Sequence, residues 1–173
     1  MCRSICSLLL LLVLWSGCSR VDAVPKDAEA SKRLTRLLLQ MERNASVEEA
    51  QQLSYDIITR AALLERTFDR TTTPWMHNFM VNVGLKQKGL CYQYADGLYG
   101  YLRQRHYPHF RFHLAGAHIG EYWREHNTLV ITAKNGKVQD GIVVDPWREQ
   151  GKVFVSLLQE DKAYNWVHRP KRE

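Results

Sequence analysis

The spacing of apolar positions changes period near the middle of the chain, and the two halves predict different structure. Leu34, Leu37, Leu38 and Met41 recur at i, i+3, i+4 and i+7, one face of a helix over Ser31 to Glu42. Asn44-Ala45-Ser46 interrupts it. Ser46 with Glu49 forms a capping-box pattern that starts a second helix, running to about Phe68, so the predicted N-terminal helical segment covers 29–69. Thr71-Thr72-Thr73-Pro74 then breaks the pattern, with Thr73 placed as N-cap and Pro74 at the first position of a short helix from Trp75 to about Val83. The turn from Gly84 to Gly89 delivers the chain to a fourth helix, whose stripe is Cys91, Ala95, Leu98 and Leu102.

Beyond Tyr107-Pro108 the period falls to two. Phe110, Phe112 and Leu114 alternate with His109, Arg111 and His113, and Tyr122 to Ala133 and Val138 to Val144 read as two further strands. Lys134-Asn135-Gly136-Lys137 joins them as a two-residue hairpin turn, because Asn-Gly supplies the positive φ that a type I′ turn needs. Lys134 then faces Lys137, and the same count sets His126 opposite Asp145, with Cβ atoms ~4.5 to 5.5 Å apart. Leu129, Ile131, Ala133, Val138, Ile142 and Val144 collect on the other face. The cysteine helix is expected on the Val130 and Val143 side of this pair and the N-terminal helices on the Leu129 and Ile142 side. The tail from Gly151 to Trp166 offers a short strand at Val153 to Val155 and a helical turn. Helices followed by antiparallel strands predict an α+β domain over 24–173.

The first 23 residues stand apart from this pattern. Leu8 to Trp15 are continuously apolar and too short for a span of ~20 residues, which marks a secretory signal. Two processing sites fit it: a lipoprotein-type cleavage before Cys18, with Cys18 lipidated, or ordinary cleavage after Val21-Asp22-Ala23. Either places the protein on the periplasmic side of a bacterial membrane as a lipoprotein, or soluble in the periplasm or secreted. Cys2 and Cys6 leave with the signal, so Cys91 is the one cysteine left to act as a thiol. A net charge of +6 suits an anionic membrane surface or cell-wall polymer. Nucleic acid is not an expected partner, since the basic residues are scattered and the chain carries an export signal.

Candidate chemistry centres on Cys91. A thiol at the first turn of a helix meets unpaired N–H groups that favour the thiolate, and a histidine and a carboxylate facing each other supply a base and its orienting acid. Cys91, His126 and Asp145 are therefore the candidate catalytic residues. Gln87 is the oxyanion-hole candidate beside the backbone N–H of Cys91, with Asn78 or Trp75 as substitutes, and Tyr92 and Trp147 are candidates to line the cleft. His106, His109 and His113 lack the carboxylates or thiols that a metal cluster recruits, so neither metal nor cofactor is expected.

Three features together bear on family: Gly89-Leu90-Cys91 opening a helix, His126 on a following strand, and Val143-Val144-Asp145-Pro146 ending the next. In them, over roughly Pro74 to Trp147, the chain resembles the transglutaminase-like family of the papain-like cysteine hydrolases. Asn127-Thr128 stands where that family usually has Ala-Trp after its histidine. The resemblance implies a helix carrying the thiol packed on an antiparallel sheet carrying the other two residues. It also implies cleavage or transfer of an amide of a peptide, protein or cell-wall substrate through an acyl-thioester. The alternative is a non-catalytic binding or assembly module of the cell envelope on the same scaffold.

Overall fold

Side-chain caps define where the helices begin. In the computed structural model, which describes residues 27–149 and 152–169, Asp27 Oδ1 accepts the N–H of Ala30 at 3.1 Å to open α1 (Ala28–Met41). The expected signal segment and Cys18 lie outside the described residues. Ser46 Oγ accepts the N–H of Glu49 at 3.1 Å to open α2 (Val47–Thr67). The Glu49 carboxylate turns away from the cap and holds His109 Nδ1 at 2.6 Å, fixing the helix to the start of the first strand. Pro74 occupies the first turn of α3 (Pro74–Asn82), where Thr73 makes no side-chain cap. The fourth helix, α4, is Cys91–Leu102.

Among the described residues these helices are followed by a five-stranded antiparallel sheet: β1 (Phe110–Ala117), β2 (His126–Ala133), β3 (Ile142–Glu149), β4 (Lys152–Leu157) and β5 (Val167–His168), in the order β4-β3-β2-β1-β5. The molecule is α+β. Leu34, Leu38, Leu53 and Ile57 of α1 and α2 pack with Tyr94, Leu98 and Leu102 of α4 against Leu129, Ile131, Ile142 and Val144 of the sheet. The other face holds a smaller cluster, in which Trp166 closes over Ala115, Ala117, Val130 and Val143.

The cysteine helix therefore lies on the Leu129 and Ile142 side with α1 and α2, not on the Val130 and Val143 side that the sequence suggests. Area explains the choice. The Leu and Ile rows offer more apolar surface to three helices than the Ala and Val rows do, at about 25 cal/mol per Å² buried.

The β2–β3 connection also differs from the expected turn. Leu129 faces Val144, Val130 faces Val143 and Ile131 faces Ile142, a register two residues removed from the one that Asn135-Gly136 predicts. Neither residue takes positive φ. The chain instead runs on through a 3₁₀ turn at Val138–Asp140 and re-enters at Gly141, where an added Cβ would meet Val130 Cγ1 at 2.4 Å. Only glycine permits that approach, so the sheet is rejoined after the Asn-Gly pair and not at it. Val138, expected beside Leu129, packs on the Val130 cluster. A shift of two keeps every strand residue on its face, so His126 and Asp145 still share one, now diagonally.

The second strand begins at His126, and Tyr122 to Glu125, expected within it, belong instead to a loop over 118–125. His118 and Gly120 take positive φ, and the Gly120 N–H donates to Glu125 Oε2 at 2.9 Å.

Candidate active site

Cys91 owes its position to a tight turn. Gly89 has φ +109°, and a Cβ there would meet His77 Nε2 at 2.3 Å, so the ring of His77 sits directly on the glycine. Buried His77 donates from Nε2 to the Lys88 carbonyl at 2.7 Å. From the other side the Gln93 side chain reaches back, its Oε1 accepting the N–H of Gly89 at 2.6 Å and of Leu90 at 3.1 Å. Cys91 thus begins α4 with both its approach and its first turn fixed. Its residue is 6% exposed, and its sulfur lies 3.9 Å from the Glu125 carbonyl and 3.9 Å from Asn127 Nδ2.

His126 is the first residue of β2, between those two neighbours of the sulfur in sequence. Helix and imidazole stand on opposite faces, and they meet because both reach the end of the strand. His126 Nε2 lies 2.5 Å from Asp145 Oδ2, in a pair 2% and 1% exposed. Nδ1 is buried and makes no hydrogen bond, so that nitrogen is open to a proton exchange with the thiol of the neighbouring helix terminus. Burial works to lower the imidazole pKa. The charge and hydrogen bond of Asp145, then the Cys91 thiol, more than offset it and raise the pKa to about 9.

Burial would raise the pKa of Asp145, but His126, Arg148 and the Trp147 N–H hold the carboxyl below the usual carboxylate range. Oδ1 accepts from the backbone N–H groups of Trp147 at 3.0 Å and Arg148 at 3.2 Å, and Oδ2 also accepts from Arg148 Nε at 3.2 Å. Arg148 is itself held by Asp161, through contacts of 3.1 and 2.7 Å. Trp166 Nε1 donates to the same carboxylate at 2.8 Å. On the helix side, Arg70 donates to the carbonyls of Trp147 at 2.8 Å and Pro146 at 3.3 Å, fixing the chain that follows Asp145. The imidazole is walled by aromatic rings, with centroids at 4.9 Å for Trp147, 4.7 Å for Tyr164 and 5.4 Å for Trp166.

Two hollows flank the site. One, of about 360 Å³, is lined by His126, Trp147, Tyr164 and Trp123. The other, of about 210 Å³, is lined by Cys91, Tyr92, Asn127, Asn82 and Tyr122. Asn78 and Glu125 border both. Asn78 Oδ1 and Trp147 Nε1 are buried without a hydrogen-bond partner. The Tyr122 hydroxyl donates to Asn82 Oδ1 at 3.3 Å, joining the 118–125 loop to the end of α3 beside the sulfur.

The structure pairs His126 with Asp145, places the Cys91 sulfur beside Glu125 and Asn127, which flank His126 in sequence, and sets Tyr92 and Trp147 on the cleft wall. Gln87 is exposed and lines neither hollow; positive φ at Gly89 turns the chain between it and Cys91, and Asn78 and Asn127 take the places beside the sulfur. Trp75 is also outside both hollows. Of the histidines weighed for metal, His109 is bound to Glu49 and His113 to Thr132.

Sequence reasoning does not find His77, Arg70, Arg148, Asp161, Tyr164 or Trp166. The glycine before the helix hints that something stands close to it, but which ring does so is set by tertiary packing. No family model, characterised protein or solved structure matches the chain.

Proposed function

We propose that this protein is a cysteine hydrolase of transglutaminase-like, papain-like architecture. It acts on an amide bond of a peptide, protein or cell-wall substrate at the bacterial envelope, where the 1–23 signal delivers it. The observation that carries this reading is one buried imidazole bound to a carboxylate at Nε2, its Nδ1 unbonded, next to a thiol at a helix terminus.

In the reaction, the Cys91 sulfur attacks the amide carbonyl and forms a carbon–sulfur bond. The oxyanion is met by the backbone N–H of Cys91 at the start of α4 and by Asn127 or Asn78. Imidazolium gives its proton to the departing amine, leaving an acyl-thioester. Water then attacks that carbonyl, His126 takes its proton, and the carboxylic acid leaves as the thiol is restored. An amine in place of water yields transfer instead of hydrolysis. Asp145 keeps the Nε2 proton, and so the ring orientation, throughout.

Iodoacetamide labelling, read at Cys91 by peptide mass, tests the arrangement. Wild type labels faster than Asp145→Asn or His126→Ala, and His126→Ala lowers amide hydrolysis by about 10² to 10⁴-fold. Equal, slow labelling of all three proteins favours the non-catalytic envelope module.

A further inference from the structure

We infer that α3 and the 118–125 loop form a membrane-contact surface, whose partner is the headgroup region of an anionic phospholipid bilayer, and that the cleft opens at that surface. Of α3 only His77 is buried. Trp75 is 69% exposed and stacks on Phe79 at 6.3 Å, with Met76 beside them and Leu85 just beyond the helix. Across the cleft Tyr122 is 75% and Trp123 65% exposed, packed edge to face at 5.2 Å. These apolar groups stand on the helix and the loop that border the two hollows through Asn78, Asn82, Tyr122 and Trp123, whereas ordinary surface hydrophobics are scattered singly.

Three observations select a bilayer over other occupants. Indole and phenol rings partition to the membrane–water boundary, where a flat ring and a polar edge are both accommodated. The carboxylates beside this surface are each ion-paired, Asp69 with Lys86, Glu121 with Arg124 and Glu125 with Arg169, which leaves exposed Lys88 to meet an anionic leaflet, as the net charge of +6 also suits. The chain also enters from this end. Asp27 Oδ2 accepts the N–H of Val153 at 2.8 Å, at the start of the strand paired with the end of β3 beyond Asp145. The described chain therefore begins at the end of the sheet that holds the site. With a lipid anchor at Cys18, the residues up to Asp27 reach no more than about 30 Å, so this end stays near the bilayer.

The test is tryptophan quenching in vesicles of phosphatidylethanolamine and phosphatidylglycerol carrying bromine on the acyl chains. The full chain is used with Trp15→Phe, so that the apolar N-terminal run contributes no indole signal. Trp75 and Trp123, held about 5 to 10 Å into the interface, shift their emission to the blue and lose intensity to bromine. Adding Trp75→Phe and Trp123→Phe abolishes both effects. Trp75→Glu with Phe79→Glu, at exposed positions, keeps the far-ultraviolet dichroism and loses the blue shift. Emission untouched by bromine but quenched by aqueous iodide overturns the inference. Emission shielded from both quenchers, with sedimentation showing a dimer, also overturns it in favour of a second copy on this face. None of these signals depends on Cys91 chemistry, so the outcome is independent of the hydrolase proposal.

Discussion

Asp145 is the residue on which the charge of the site depends. It counters the burial that would otherwise strip His126 of its proton, and the raised imidazole pKa of about 9 makes a sharp expectation. The ring stays protonated through neutral pH and loses its proton as pH rises through about 9. Its contribution to stability is fully present below the ordinary histidine value of ~6.5 and fades as pH climbs through the folded one. In Asp145→Asn the countering charge is gone while burial remains, so the midpoint falls. Proton resonances of the His126 ring, followed from pH 5 to 10, read both midpoints directly. An unmoved midpoint in the variant would show that the carboxylate is not what holds the charge. Arg148 completes the local balance by sharing Oδ2 with the imidazole while Asp161 holds its far end.

At the scale of elements, the turn into α4 sets the sulfur. Gly89→Ala forces a side chain into positive φ and onto the His77 ring, so it should cost about 1 to 3 kcal/mol in urea denaturation and slow the labelling of Cys91. Wild-type stability in that variant would mean that the turn can relax without help from His77.

Much of this level was legible in the sequence, because the stripe of Leu34 and Leu38, the Ser46 cap and the alternation around Leu129 and Ile131 are local signals with a fixed period. The hairpin was not. Asn135-Gly136 is a strong local signal, but the close approach of Gly141 to Val130 is a contact between strands, and it wins. The pairing of His126 with Asp145 survives the changed register because side-chain direction has period two, which makes the face more legible than the partner. Which face would receive α4 depended on summed apolar area across several elements, and no single segment encodes that.

Across the whole molecule, the site is closed by its last described residues. Tyr164 and Trp166 arrive from the C-terminal segment to wall the imidazole, and Trp166 also fills the smaller core. Trp166→Ala should destabilise the fold by about 3 to 5 kcal/mol, measured by urea denaturation, because the lost ring leaves a cavity and takes one hydrogen bond from Asp161, which keeps only Arg148 on that oxygen. A loss below about 1 kcal/mol would show that the segment merely rests on the sheet. This closure was hidden from the sequence, where the tail reads as a strand and a turn with nothing to say which rings meet His126. The hydroxyl of Tyr122 bound to Asn82 has a consequence of a different kind. It ties the loop to the helix on the wall of the hollow that holds the sulfur, so any swing of the loop away from α3 has first to break that bond.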